Sequence, residues 1–339
     1  MEYIKLKFPL KGVIESRIGG RDENQDSYGY RDVPMGAAVV VCDGMGGAQG
    51  GKYASMIAVN AILDYLSQQD ENVDTGKALY EAISYANMAI IQTGMENPSL
   101  YGMGTTVTAL ILNKQCATVA YVGDSRIYQL RGKNKVFRTT DHSMVFEMVK
   151  GGVMTEEQAR CSNQSNVILK ALGINTDVEA DIYKLPYLEN DRFILCSDGF
   201  WGAMPEPEFL KLVSKKEYLG YLIEAAANKV DSVGNAKGGH HDNLTAAIID
   251  VKCNSKMRVK MSKVVKILLC VLSALLCISI AFNVYCGCKL SQKKQEAPKT
   301  EQTVDASNEN KDVKEETPQT PKSTPKNAKS GNSKKITKK

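Results

Sequence analysis

The feature that most constrains the fold is a set of five aspartates, four of which abut a short apolar run: Asp26, Asp43, Asp124, Asp198 and Asp242. A charged residue at the end of a buried strand costs free energy unless it is paired or binds a metal, and no basic residue recurs beside these positions. Because the strand ends are expected to share one rim, the sequence predicts a cage of oxygen ligands for hard divalent cations, Mg²⁺ or Mn²⁺.

The apolar runs predict an α+β domain. Short β-branched runs, typical of strands, occur at Ala37–Cys42, Thr105–Leu112, Ala117–Val122, Arg126–Leu130, Phe193–Cys196 and Leu244–Val251. Two longer segments, Lys52–Leu66 and Lys77–Gln92, carry apolar residues at helical spacing. The face predicted for the first helix consists of Met56, Val59, Leu63 and Leu66. Long helices separated from clustered strands favour sheet packed on sheet with helices outside.

Charge divides the 339 residues into three segments. Residues 1–251 carry a net charge of −7, whereas 252–288 and 289–339 each carry +6, giving +5 for the chain. The acidic first segment argues against a nucleic-acid partner. Nine cysteines without a repeated spacing, and no signal-peptide core in Met1–Lys11, favour free thiols in the cytoplasm.

The later segments predict a membrane anchor. Residues 267–288 contain no charge and are long enough to cross a bilayer as one transmembrane helix; a buried soluble helix is the alternative. We therefore expect a catalytic domain at 1–252, a basic juxtamembrane linker at 253–266 and a disordered Lys, Thr and Pro-rich tail at 289–339.

The flanking charges predict the orientation of that anchor. Six basic residues precede the span and four follow it within residues 289–303, which places the first segment in the cytoplasm and the tail outside the cell membrane. A hairpin or a surface-lying helix would instead keep the tail inside.

Seven motifs in order carry a family resemblance over about residues 10–251: R-D-E-N-Q-D, V-V-V-C-D-G-M-G-G, G-M-G-T-T, V-G-D-S-R, T-T-D-H-S, C-S-D-G-F-W and H-H-D-N-L-T. The set resembles the metal-dependent serine/threonine phosphatases of type 2C (the PPM family), in their bacterial form. The resemblance implies a four-layer αββα sandwich. It also implies hydrolysis of phosphoserine and phosphothreonine in proteins by a hydroxide bridging two metal ions, opposing a serine/threonine kinase.

The resemblance also assigns the metal ligands. Asp43 would bridge both ions, and the Gly44 carbonyl would complete one of them. Asp198 and Asp242 would hold one ion, whereas Asp26 would act mainly through water on the other. The physics agrees, because two cations can generate hydroxide at neutral pH and neutralise the phosphoryl oxygens.

Two further roles follow from the motifs. Arg21, five residues before Asp26, would bind the substrate phosphate and would join Asp43 and Asp198 as a catalytic residue. Asp124 would hold a weaker third ion with Asp198. Residues 142–172 would form a mobile flap beside the site. The chain departs from eukaryotic relatives at Met45, where they carry a histidine that is a proposed general acid.

Other reactive side chains near these motifs are expected to be structural. Cys42 and Cys196 lie on strands without an adjacent histidine, which predicts core positions. Trp201 is expected to be an aromatic plug below the site rather than a substrate platform. His240 and His241 are expected to be solvated in a glycine-rich loop.

Two other functions remain open from the sequence. A catalytically silent scaffold that binds phosphoproteins is one, although all five aspartates are present. A hydrolase of small phosphate esters is the other, because protein substrates are bound by shallow surfaces that leave no motif.

Overall fold

The computed structural model describes residues 1–46, 50–256 and 270–285. The chain separates into two compact units, Met1–Lys260 and Met261–Lys339. All strands and helices labelled below belong to the first unit.

The described strands form two antiparallel sheets. The first has the order β1 (Glu2–Ile4), β2 (Leu10–Arg17), β12 (Leu244–Val251), β11 (Asp191–Cys196), β8 (Arg126–Arg131) and β9 (Asn134–Arg138). The second has the order β10 (Asp181–Leu185), β7 (Ala117–Val122), β6 (Val107–Leu112), β4 (Gly36–Met45) and β3 (Asp26–Val33), with β5 (Gly104–Thr105) paired to the end of β4.

Helices cover the outer face of each sheet. The second sheet carries α1 (Gly50–Ser67) and α2 (Thr75–Glu96), where Asp74 caps α2 by accepting the backbone N–H groups of Gly76 and Lys77. The first sheet carries α5 (Asp198–Trp201), α6 (Glu206–Val213) and α7 (Leu219–Ala236). The predicted flap contains α3 (Met144–Lys150) and α4 (Glu156–Arg160), and a short 3-10 helix spans Pro98–Leu100.

Three apolar cores lie between the layers. One joins the two sheets, one joins the second sheet to α1 and α2, and one joins the first sheet to α5, α6 and α7. Central strands are therefore covered on both faces, which explains why β6, β7 and β11 are buried throughout and are mostly apolar. The predicted α+β architecture of layered sheets and helices is confirmed.

The local predictions differ from the structure in three ways. The predicted strand at 105–112 is divided at Thr106, whose backbone N–H donates to the Asp43 carbonyl across 2.8 Å. Met56 is 43% exposed, whereas Val59, Leu63 and Leu66 are buried as expected. Strands β1, β3, β9 and β10 were missed because they lie at sheet edges, where polar residues replace an apolar run. The inner strand β2 was also missed, because its sequence LKGVIESR holds only a short apolar stretch.

The second unit is described only at residues 270–285, which form a helix. In the described part of the chain, no helix has both the length and the apolarity needed to cross a membrane. The predicted transmembrane segment at 267–288 runs past the described residues at both ends. The tail predicted at 289–339 and most of the linker at 253–266 also lie outside them.

Candidate active site

Loops at one rim of the two sheets bring the predicted aspartates together. Strand pairing places Asp26 directly opposite Asp43. Asp198 begins α5 immediately after β11, and Asp242 lies just before β12. The rim encloses a cleft of about 520 Å³, and six of the residues that line it are Arg21, Asp43, Gly44, Asp124, Asp198 and Asp242.

The backbone of Asp43 is fixed by the two threonines of G-M-G-T-T. The Asp43 N–H donates to Thr106 Oγ1 across 3.0 Å, and Thr105 Oγ1 donates to the Asp43 carbonyl across 2.8 Å. The Thr106 hydroxyl also forms a 2.8 Å hydrogen bond with the hydroxyl of Ser125, the neighbour of Asp124. This pair of threonines therefore links two aspartates of the site.

Asp26 lies beside the cleft rather than in its wall. Its carboxylate is buried, and Asp26 Oδ2 accepts a 2.8 Å hydrogen bond from the Ser197 hydroxyl. Ser197 directly precedes Asp198, so this bond connects Asp26 to the loop that positions Asp198.

Three carboxylates of the rim lack part of the hydrogen bonding that buried carboxylates require. One buried oxygen in each of Asp26, Asp124 and Asp198 accepts no hydrogen bond. Burial, followed by repulsion from neighbouring carboxylates, raises the pKa of Asp26 to about 7 and that of Asp198 to about 6. The same two causes raise the pKa values of Asp43 and Asp124 well above their usual range. The protein alone therefore opposes full ionisation of this cluster.

Glycine is required where the backbone of the rim is crowded. A Cβ atom at Gly44 would lie 2.0 Å from the Gly51 carbonyl oxygen, and one at Gly199 would lie 2.1 Å from that of Asn243. Gly46 has φ of +112°, a conformation that L side chains rarely adopt. The loops after Asp43 and Asp198 can lie this close to their neighbours because these positions are glycine.

Arg21 lies at the mouth of the cleft. Its guanidinium Nη2 is 2.9 Å from Asp242 Oδ2, and the two side chains are 53% and 42% exposed. Asn243 holds the Arg21 loop from below: its amide donates to the carbonyls of Ile18 and Glu23 and its oxygen accepts the Gln25 N–H. We assigned Asn243 no role from the sequence, although it follows Asp242 in H-H-D-N-L-T.

The predicted plug role of Trp201 is supported only in part, because the ring packs on the core but also lines a cavity beside α3 and α4. Trp201 packs against the core below α5, and its indole N–H donates to the Asp124 carbonyl across 3.1 Å. The Arg126 guanidinium lies 3.3 Å from the centre of the Trp201 ring and forms two hydrogen bonds, of 2.8 and 2.7 Å, with the buried carboxylate of Asp141. The flap residue Phe146 lies on the same guanidinium at 5.8 Å.

The predictions for the two cysteines are confirmed, whereas those for the two histidines are confirmed only for His240. Cys42 and Cys196 are buried core residues, and burial raises the pKa of each thiol. His240 is exposed as expected, but His241 is not simply solvated, because its Nε2 lies 2.9 Å from the Asp231 carboxylate. That prediction was wrong for His241, since the loop folds its ring onto α7 at Gly234.

The geometry suits cations that bind a few protein oxygens and complete their coordination with water. Among residues 1–46, 50–256 and 270–285, no three His, Cys, Asp or Glu side chains form a ready-made metal-binding group. The Asp242 carboxylate is directed to Arg21 instead. Mg²⁺ retains several waters and uses few carboxylates, so unpartnered oxygens beside an open cleft fit this ion class better than an all-protein cage would.

A family model described as Protein phosphatase 2C matches residues 15–225. The chain belongs to the protein phosphatase 2C family. Its enzymatic class is that of serine/threonine phosphatases. The serine/threonine phosphatase stp of Listeria monocytogenes is 32% identical over 246 residues, which cover 70% of this chain and 94% of that protein. Protein phosphatase PhpP of Streptococcus pneumoniae is 29% identical over 236 residues, covering 68% and 93%.

Solved structures show the same fold. The Mycobacterium tuberculosis serine/threonine phosphatase PstP/Ppp matches with a TM-score of 0.60 and 28% identity, covering 72% of this chain and all of that one. Stp1 of Staphylococcus aureus matches with a TM-score of 0.63 and 25% identity over 74% of this chain and 100% of its own. A PstP catalytic domain, at a TM-score of 0.59, 28% identity and coverages of 72% and 99%, was solved in complex with two manganese ions.

Proposed function

We propose that this phosphatase hydrolyses phosphoserine and phosphothreonine in cytoplasmic proteins with the aid of two Mn²⁺ or Mg²⁺ ions. The observation that carries the metal requirement is the set of unpartnered carboxylate oxygens at Asp26, Asp124 and Asp198. Cations would supply the missing partners and would favour the ionised carboxylates that burial disfavours. Two such ions supply nucleophilic hydroxide at neutral pH and neutralise phosphoryl oxygens.

The ligand roles proposed here are those that the family motifs imply, and they are supported by the lining of the cleft by Asp43, Asp198 and Asp242. Asp43, with the adjacent Gly44 carbonyl, is proposed to contact both ions, while Asp198 and Asp242 hold one. Asp26 would act on the other ion through water, since it lies beside the cleft and is bonded to Ser197. A weaker third ion between Asp124 and Asp198 is supported by the free oxygen on each of these residues.

The chain's own residues orient the substrate. The Arg21 guanidinium is half exposed at the mouth, where it can turn from Asp242 and donate two hydrogen bonds to a phosphate. The flap residues Asn166 and Ile168 also line the cleft and would contact a bound substrate. Met45 cannot donate a proton, so the leaving serine or threonine oxygen is proposed to take its proton from water.

The test uses the full-length chain purified in detergent and offered phosphothreonine peptide, phosphotyrosine peptide and p-nitrophenyl phosphate, with Mn²⁺ or with EDTA. We expect Mn²⁺-dependent release of phosphate, fastest from phosphothreonine. Hydrolysis of the small ester alone would favour the small-ester enzyme. Tight binding of phosphopeptide without hydrolysis would favour the silent scaffold.

We propose further that residues 267–288 anchor the phosphatase in the cell membrane as a single pass, with the catalytic domain in the cytoplasm beside a cognate serine/threonine kinase and the tail outside. The absence of charge from these residues and the six basic residues before them support this arrangement.

Protease added to cells whose outer membrane is permeabilised and whose inner membrane is intact tests the topology. We expect an epitope at the end of the tail to be lost while the catalytic domain survives. A tail that resists protease in intact cells and is cut in lysed cells would contradict this orientation.

A further inference from the structure

A second cavity lies between the flap and the helices below it. It has a volume of about 210 Å³ and is bounded by α3 and α4 of the flap on one side and by α5 and α7 on the other. We call it the flap cavity. Asp198 and Asp242 line both the flap cavity and the catalytic cleft, so the two spaces share a boundary at the proposed metal ligands.

Several charged groups in the wall of the flap cavity are already bonded within the protein, although Lys237 and Asp198 also line it and one buried oxygen of Asp198 accepts no hydrogen bond. Arg126 is paired with Asp141, and Arg160 donates to the Gly202 carbonyl across 3.0 Å. Glu156 accepts a 3.0 Å hydrogen bond from Arg138, and Asp231 is the partner of His241. A polar ligand would gain little from groups that must first break these bonds.

Much of the remaining surface is an apolar patch. It is formed by Val145, Phe146, Ala159, Trp201, Ala203 and Val233. The volume corresponds to about seven water molecules at the liquid density, and it is smaller than the roughly 300–1,000 Å³ of pockets for drug-sized ligands. One branched or aromatic side chain fits this space better than a whole metabolite does.

We infer that the flap cavity is a subsite for an apolar side chain close to the phosphorylated residue of the substrate protein. The inference deepens the proposed function and rests on it. The flap lines both spaces, so a polypeptide whose phosphate lies at Arg21 and Asp43 would continue beneath the flap past Asp198. An apolar neighbouring side chain would then displace water from the flap cavity and hold the flap against the substrate.

The structure supplies a reporter for this binding. Trp201 is the only tryptophan of the chain, and it lines the flap cavity. Entry of a side chain would replace water at the indole, so the fluorescence emission of the full-length chain should shift to shorter wavelength. The shift measures occupancy without any catalytic turnover.

The experiment compares phosphothreonine peptides that differ at one neighbouring residue, which is leucine, phenylalanine or aspartate at each position in turn. We expect kcat/KM to be at least about tenfold higher with the apolar residue at one or more positions. A phosphonate analogue of the best peptide, which cannot be hydrolysed, should shift Trp201 emission in Mg²⁺, and its aspartate counterpart should not.

Two variants fill the flap cavity from different elements: Val233→Phe on α7 and Ala203→Leu after α5. Each should reduce the peptide preference to about twofold or less and leave hydrolysis of p-nitrophenyl phosphate unchanged. The matched control is Ile57→Phe, which enlarges a partly buried side chain on α1 in a different core. It should keep the full preference.

Equal kcat/KM for apolar and acidic peptides in the wild type would overturn the subsite, as would a preference that survives in both filled variants. If no substrate is hydrolysed but the apolar analogue still shifts Trp201 emission, the proposed function fails and the subsite stands. If every peptide is hydrolysed at the same rate, the proposed function stands and the subsite fails.

Discussion

The interior holds two groups of aspartates in opposite electrostatic situations. Asp141 and Asp191 are buried, and each accepts two hydrogen bonds from one arginine, Arg126 and Arg131 respectively. Burial alone would raise the pKa of Asp191, but the bonds from Arg131 and from the Leu188 N–H outweigh it, so the pKa is lowered. In the rim group the pKa values of Asp26, Asp43, Asp124 and Asp198 are raised instead.

The difference teaches how to separate structural from functional acids in this fold. A buried carboxylate that serves only the fold has its ion partner built into the chain. Asp26, Asp124 and Asp198 of the rim each leave a buried oxygen without a partner, so these acids stabilise the folded protein only when a cation is bound. Exchanging an acid of each group for its amide therefore has opposite consequences for activity and for stability.

The largest effect is expected from Asp43→Asn, which removes the charge that both proposed ions share. Turnover of a phosphothreonine peptide in saturating Mn²⁺ should fall by at least about two orders of magnitude, because ion binding and transition-state charge stabilisation are lost together. The metal-free variant should unfold at a urea concentration no lower than the wild type does, since a repelled carboxylate has been neutralised. Unchanged turnover of the variant in Mn²⁺ would contradict the assignment of two ions to Asp43.

In contrast to Asp43→Asn, Asp141→Asn is expected to lower the free energy of unfolding. This exchange leaves the Arg126 charge buried without its partner, and breaking a buried pair costs about 3–5 kcal/mol of unfolding free energy. Urea denaturation followed by circular dichroism measures the loss. Asp64→Asn is the control, because the Arg31–Asp64 pair is exposed and should contribute less than about 1 kcal/mol. Equal losses in the two variants would break the distinction between the groups.

The sequence could predict the rim but not the pairing that distinguishes the two groups. Asp43 and Asp198 were recognisable because each follows a continuous apolar run and precedes glycine. Asp141 and Asp191 carry the same side chain near similar runs, and only the tertiary fold brings Arg126 and Arg131 to them. Nothing local could reveal such long-range contacts.

The fold shows the same limit. Strand β12 was predicted with its observed bounds, because this central strand is covered on both faces and is apolar except at Thr245 and Asp250. Edge strand β3, with the sequence DSYGYRDV, has no such requirement and was missed. The flap cavity was also unpredictable, because its walls come from four helices far apart in the chain and each contributes only one or a few side chains.

A third prediction concerns pH and sharpens the comparison through the raised pKa values. In the metal-free chain, folded Asp26 and Asp198 keep protons that the unfolded chain has lost, between pH of about 4 and the folded values of about 7 and 6. The unfolding free energy should therefore fall as pH rises through this window, by a few kcal/mol, and level off above it. Urea midpoints in EDTA measure the slope.

Mn²⁺ should remove or reverse this slope, because it binds the ionised carboxylates and so stabilises the folded chain more at high pH. Stability in EDTA that rises with pH from 5 to 7 would show that the rim acids are already compensated within the protein.

Asp242 is the intermediate case, because it belongs to the rim and yet has an arginine partner. The pair with Arg21 is half exposed on both sides, so it contributes little to stability and can be exchanged for a substrate contact. Arg21→Ala should raise KM for a phosphothreonine peptide about tenfold, with little change in the urea midpoint, because the forked donor to the phosphate is lost. Arg21→Lys should recover only part of that loss, since an ammonium lacks the planar fork.

Calorimetry of Arg21→Ala should find the affinity for the first two Mn²⁺ ions unchanged. Weakened metal binding in Arg21→Ala would mean that the guanidinium acts by holding Asp242 in place, and Asp242 would then belong with Asp141 and Asp191 among the acids whose partner is built into the chain.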